Sequence, residues 1–167
     1  MHHGAVCMRA EIYGVKLQSA SKVNYAYHKT ATQSTTGWGG PPDRAVDGNR
    51  NPNYDTGKSC THTADSDNEL WWMVDLGQSI PVYEVFIVNR DTNSERLHDF
   101  LILIGGSSSN GGKSNPVCNS VKGPLPSGIG TSIYCHQSMM GRFLTITFDN
   151  HGGILTLCEV EVYTKGD

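Results

Sequence analysis

Short apolar runs recur through the chain, separated by clusters of Gly, Ser, Asn and Asp. Residues 69–77, 80–88, 100–104, 132–136, 142–148 and 155–163 are rich in β-branched and aromatic side chains and have turn-forming boundaries. These features predict strands. No segment sustains a long helical period. Many strands without crossover helices pair antiparallel, so the pattern predicts a sandwich or barrel. Residues 30–40 and 105–130 are polar and Gly/Ser/Asn-rich, and read as loops. Residues 1–20 alternate only weakly and read as an N-terminal extension ending in a Ser19-Ala20-Ser21 linker, with the domain proper over 21–167. Met1-His2-His3-Gly4 reads equally as an added tag or as the start of a mature segment.

The most informative loop is residues 89–96, Asn-Arg-Asp-Thr-Asn-Ser-Glu-Arg, which joins the apolar runs 82–88 and 100–104. Loops carried on rigid strands are where binding groups usually reside, and this one offers two arginines.

Composition narrows the picture. At 167 residues the chain is large enough for one domain with its own core. A net charge of −3 argues against a polyanion surface, so nucleic acid is not an expected partner. No apolar run reaches the roughly 18 residues of a membrane-spanning helix, and residues 1–6 lack the pattern of a signal peptide. The 5 cysteines include no C-x-x-C pair, which disfavours a zinc site. Four of them, Cys60, Cys118, Cys135 and Cys158, suit two disulfides in a secreted protein, leaving Cys7 in the extension. A disulfide between Cys118 and Cys135 would tether the 105–130 excursion.

A set of motifs then comes in a telling order. It runs Ala31-Thr32-Gln33-Ser34, Ala45-Val46-Asp47-Gly48-Asn49, Ser59-Cys60-Thr61-His62 and Trp71-Trp72-Met73-Val74-Asp75-Leu76-Gly77. It continues with Asn89-Arg90-Asp91 through Arg96, Gly141-Arg142-Phe143 and Leu157-Cys158-Glu159-Val160. This order resembles the F-type lectin (fucolectin) family over residues 23–164. The Trp-Trp-x-Val-Asp-Leu-Gly run is shared with the wider discoidin-like group, whereas the Cys-Thr-His, double-arginine and Cys-Glu pieces are more specific. The resemblance implies an all-β fold, an antiparallel eight-stranded jelly-roll β-sandwich that binds terminal α-L-fucose and holds one structural Ca2+. By position it assigns sugar contacts to His62, Arg90 and Arg96. The chain departs from the family pattern in two ways. Asp91 follows Arg90 directly, one residue short, and Thr92 and Asn93 stand where many members carry adjacent cysteines.

The chemistry suits a deoxy sugar. A planar guanidinium can bridge neighbouring sugar oxygens in fixed geometry. A neutral imidazole can donate from one nitrogen while a backbone acceptor fixes the other. Asp91 or Glu95 can orient an arginine by a charge-assisted bond. Tyr54 is the candidate wall against the methyl group. Trp71 and Trp72 are expected to pack within the sandwich.

For the cation, the resemblance implies Arg44, Asp47, Asn49, Ser59, Cys158 and Glu159, through carboxylates, a hydroxyl and backbone carbonyls, an oxygen set that calcium prefers. Pairing Cys60 with Cys158 would bring Ser59 and Glu159 together.

Two other function classes compete. A fucosidase would need two flanking carboxylates, and Asp91, Glu95 and Asp99 are near one another, but no nucleophile or two-metal motif accompanies them, so no catalytic residue is expected. A discoidin-like adhesion module for protein or membrane surfaces would present apolar loop tips, and Trp38 is the only large aromatic in the early loops. A gamete-recognition role would use the same lectin domain. The expected partners are therefore fucosylated glycans, with no membrane insertion. An oligomer or tandem domains would supply avidity for cell-surface or microbial glycans, as in innate immunity.

Overall fold

The computed structural model describes residues 22–65, 70–149 and 152–166. The extension over 1–20 and Cys7 lie outside the described residues. Six strands form one antiparallel sheet among the described residues: β1 (Thr30–Gln33), β2 (Trp71–Val88), β3 (His98–Gly105), β4 (Val117–Pro124), β5 (Gly130–Phe148) and β6 (Glu159–Thr164). Their order is β1-β2-β5-β3-β4, with β6 on β2.

The sandwich arises because β2 and β5 each run through two layers. The first part of β2 pairs with β1 and with the last part of β5, Trp71 opposite Thr147. Its last part pairs with β6 and with the start of β5, Val88 opposite Glu159 and Gly130. Register shifts between Asp75 and Ile80 and between Val82 and Glu84 mark the passage. Bulges of this kind bend a strand and increase its twist. At the first shift Gly77 takes φ +82° and donates its N–H to the Asp75 carboxylate at 2.8 Å, a conformation that suits a residue without Cβ. Side chains from both parts of β2, Trp72 and Val74 from one and Val85 and Ile87 from the other, meet in one buried core.

The expected class is therefore the observed one, with a corrected strand count. The predicted strands 69–77 and 80–88 fall on one strand, β2, which begins at Trp71, and 132–136 and 142–148 both fall on β5. Counting the halves of β2 and β5 separately restores eight. Two predicted loops contain strands, β1 and β4. Both lie at sheet edges, have half of their residues exposed and carry little apolar signal. The predicted strand 155–163 is pairing-competent as β6 only from Glu159. Residues Leu155 and Leu157 instead bond to Thr63 and Thr61, through both backbone and hydroxyl groups.

Both cysteine pairs are present. Cys118–Cys135 fastens β4 to β5, and Cys60–Cys158 joins the segment before His62 to the start of β6. Trp72 is fully buried, with its indole N–H donating to the Pro42 carbonyl at 2.9 Å, and Trp71 lies against Gly111.

Candidate functional site

Three loops carry the polar groups around a cavity of about 400 Å³, whose lining also takes in Trp38 and Ile154. The first loop carries His62. Its backbone is held on both sides: His62 N–H donates to the Gly40 carbonyl at 2.9 Å, and Gly37 N–H donates to the His62 carbonyl at 2.8 Å. A Cβ on Gly40 would lie 2.5 Å from His62 N, so only glycine permits this approach. Gln33, at the end of β1, donates to the Gly40 and His62 carbonyls. The Ala-Thr-Gln-Ser motif thus serves the site by holding a loop.

His62 is buried, and its Nδ1 lies 2.7 Å from the Thr63 carbonyl. A carbonyl only accepts, so Nδ1 carries the proton and neutral Nε2 is left as an acceptor. This corrects the expectation that neutral His62 donates to the sugar while a backbone acceptor fixes the other nitrogen: one proton cannot serve both. Burial, opposed by the Thr63 bond and assisted by Arg90 and Arg96, holds the imidazole below its usual pKa.

The second loop is residues 89–96. Asn89 organises it: its side chain donates to the Ser94 and Leu125 carbonyls and accepts from Arg90 N–H. Arg90 is 6% exposed. One terminal nitrogen donates to Thr92 Oγ1 at 3.0 Å, while the buried Nε has no partner among the described residues. Its guanidinium lies 5.0 Å from the centre of the Tyr54 ring. Burial first, then Arg96, pulls its pKa down. Arg96 ends a 3-10 turn, Ser94–Arg96, entered through Asn93 at φ +51°. Thr92 and Asn93 therefore have work of their own, one accepting from Arg90 and the other lining the cavity.

The third loop carries Tyr54, first residue of the single turn α1 (Tyr54–Gly57), which Asn53 caps. The Tyr54 ring meets His62 edge-on, with centroids 5.5 Å apart. Its hydroxyl donates to the Trp38 carbonyl at 2.7 Å, and Trp38, at φ +50° and 85% exposed, presents its indole at the cavity edge.

His62, Arg90, Arg96 and Tyr54 thus come together, as anticipated. Asp91 does not line the cavity. Its carboxylate accepts from Asn53 and its backbone joins Pro52 and Ser127, so it ties two loops. No ion pair links Arg90 to Asp91 or Glu95 among the described residues. Sequence reading missed Trp38, Asn93, Ile154, Asp55 and Asp65 as cavity residues. Only the isolated Gly37-Trp38-Gly39 offered a signal for its aromatic.

The second cluster lies beside the Cys60–Cys158 disulfide, whose Cα atoms are 3.7 Å apart. Glu159 is fully buried; one carboxylate oxygen accepts from Gly48 N–H at 3.2 Å and the other has no partner among the described residues. Burial, then Glu161 and Asp47, pushes its pKa up to about 8. Asp47 also receives the Asn49 N–H, Ser59 is buried and donates to the Asn51 carbonyl, and Cys158 N–H donates to Val88. The Arg44 side chain turns to the Cys60 carbonyl at 3.3 Å.

Comparison with known proteins places this geometry. The family of NedA-like, galactose-binding domains matches residues 44–146. Fucolectin-1 of Anguilla japonica is 42% identical over 145 residues, covering 83% of this chain and 79% of the eel protein. A fucolectin from striped bass (Morone saxatilis) serum superposes with a TM-score of 0.80 at 36% identity, over 88% of this chain. This chain spans 52% of that lectin's length. A fucose binding module of Streptococcus pneumoniae gives 0.72 at 34% identity, over 86% of this chain and 96% of the module. These relatives are lectins and binding modules, so the chain is a binding domain and not an enzyme. With a galactose-binding-like sandwich and fucolectin identity across most of its length, the chain belongs to the F-type lectin (fucolectin) family.

Proposed function

We propose that this domain binds terminal α-L-fucose on extracellular glycans, with one structural Ca2+ beside the site. The observation that carries the reading is Arg90: a nearly buried guanidinium, turned to a cavity, with Nε unpartnered and no carboxylate paired to it among the described residues. Such a group needs an acceptor brought by a ligand. Arg90 and Arg96 would donate to sugar oxygens, and Nε2 of His62 would accept from a hydroxyl. Tyr54, Ile154 and Trp38 supply apolar surface for the methyl group.

Titration calorimetry with methyl α-L-fucoside is expected to give a dissociation constant on the order of 0.1–1 mM. The 6-hydroxylated counterpart, methyl α-L-galactoside, is expected to bind roughly tenfold more weakly, because its extra hydroxyl is desolvated against apolar side chains. Absence of fucoside binding by folded protein sinks the reading. Affinity this weak calls for several copies acting together, by self-association or in tandem. The paired cysteines and the serum origin of the bass relative support secretion.

The His62 geometry gives a pH profile. Its pKa in the fold lies below the ordinary value of about 6.5, so affinity stays level from pH 8 to about 6.5 and falls at more acid pH, where protonated Nε2 no longer accepts. Affinity that strengthens on acidification, or that already weakens between pH 8 and 7, contradicts the acceptor role.

For the cation, Asp47 and Glu159 with nearby carbonyls and the Ser59 hydroxyl form a hard-oxygen set that fits calcium, and the partnerless Glu159 oxygen is the atom that asks for it. Bound there, the ion would brace the segments leading to His62 and to β6.

A further inference from the structure

Two charged cavity residues have no part in the proposed fucose contacts. Asp55, on α1, and Asp65, just after the His62 segment, both line the cavity and are both exposed at its mouth. They sit on different loops of the same cavity lining. Of the carboxylates acting on Arg90, Asp55 attracts it most.

Two guanidiniums in a half-closed cavity are chemically promiscuous: they take sulfate or carboxylate as readily as neutral hydroxyls. Arg90 Nε, buried and without a partner among the described residues, would be such an anion's first target. Among the described residues of the lining, the two aspartates offset the two arginines and neutral His62 adds nothing. Arg44 lies 6.0 Å from the Tyr54 ring but does not line the cavity. Fucose is uncharged and loses nothing by this balance. An anionic group on the adjoining sugar would sit at the mouth, where Asp55 and Asp65 repel it.

Resting on the fucose reading, we propose that Asp55 and Asp65 set specificity, restricting the site to fucosylated glycans whose neighbouring sugar is uncharged. Like-charge opposition of this kind selects by penalising the wrong partner.

The test compares an α-fucosyl-galactoside with the same disaccharide sulfated on galactose, by calorimetry at low salt, in the unaltered chain, D55N, D65N and D55N/D65N. The unaltered chain is expected to favour the neutral ligand by about tenfold, the double variant by less than about threefold, and each single variant by an intermediate ratio. Raising salt to about 1 M, where the Debye length is about 3 Å, should shrink the ratio of the unaltered chain similarly. Equal binding of both ligands by the unaltered chain, or a ratio undiminished in the double variant, overturns the proposal. If the folded chain binds neither disaccharide nor the simple fucoside, the fucose reading itself fails and this proposal goes with it.

Discussion

Arg90→Met is expected to weaken methyl α-L-fucoside binding by about 100-fold, beyond practical detection, while leaving the melting temperature unchanged or a few degrees higher. Charge-assisted hydrogen bonds contribute about 1.5–3 kcal/mol each, and removing the guanidinium removes at least one while leaving a sugar oxygen desolvated. Stability should move the other way because Arg90 is charged, nearly buried, close to Arg96 and joined by no ion pair among the described residues. A buried charge without a partner is a cost to the fold. Methionine keeps an unbranched apolar stem while removing the guanidinium that lies 5.0 Å from the Tyr54 ring centre. Arg90→Lys, which retains charge without the planar fork, should lose about tenfold in affinity. If Arg90→Met keeps fucoside affinity within threefold, the site is misassigned. If it loses more than a few degrees of melting temperature, the guanidinium is structural.

Much of this site was legible because its polar groups lie in short motifs whose order carries information. His62, Arg90 and Arg96 converge because Asn89 locks one loop with its own side chain and Gly37 and Gly40 let another pass close by. The sequence shows these residues, but their bonds span 22–36 positions in some cases and follow no local period. For the same reason Asp91 looked like a partner for Arg90, adjacent as it is, when its carboxylate turns to Asn53 at 3.0 Å. Adjacency along a loop does not make two side chains face one another. Ile154 and Asp65 had no motif to mark them, and enter the cavity through folding alone.

The fold was readable where strands are buried on the core face and unreadable where they are not. β2 and β5 announce themselves by runs of apolar, β-branched and aromatic residues such as Trp72–Val74 and Leu144–Phe148, yet the steps between those runs, where the pairing register shifts, read in sequence as strand ends. β1 and β4 need pair on one side only and keep polar side chains. The absence of adjacent cysteines from the 89–96 loop has a physical counterpart. Thr92 takes a guanidinium bond and Asn93 supplies the left-handed turn, so the loop presents both arginines without adjacent cysteines.

Chelating the proposed calcium is expected to lower the melting temperature by roughly 5–10 °C at pH 8, and adding calcium should restore it. A ligand held about 100-fold above its dissociation constant stabilises by about 2.7 kcal/mol, and each kcal/mol is worth roughly 2–4 °C in a domain of this size. The size of the effect should depend on pH in a direction fixed by Glu159. Without a cation its carboxyl has a pKa of about 8 in the fold, raised by burial, Glu161 and Asp47, against about 4.3 when unfolded. A raised folded pKa gives stability that is complete below the unfolded value and lost as pH climbs through the folded one. Chelated protein should therefore melt progressively lower from pH 5 to 8, whereas the calcium-bound protein, its carboxylate compensated, should not. Glu159→Gln separates this from general acid or base effects. Its neutral amide should make the melt insensitive to both chelator and calcium and remove the decline between pH 5 and 8. A chelator-indifferent melt of the unaltered chain at pH 8 would show that the partnerless Glu159 oxygen is satisfied by its proton and not by a metal.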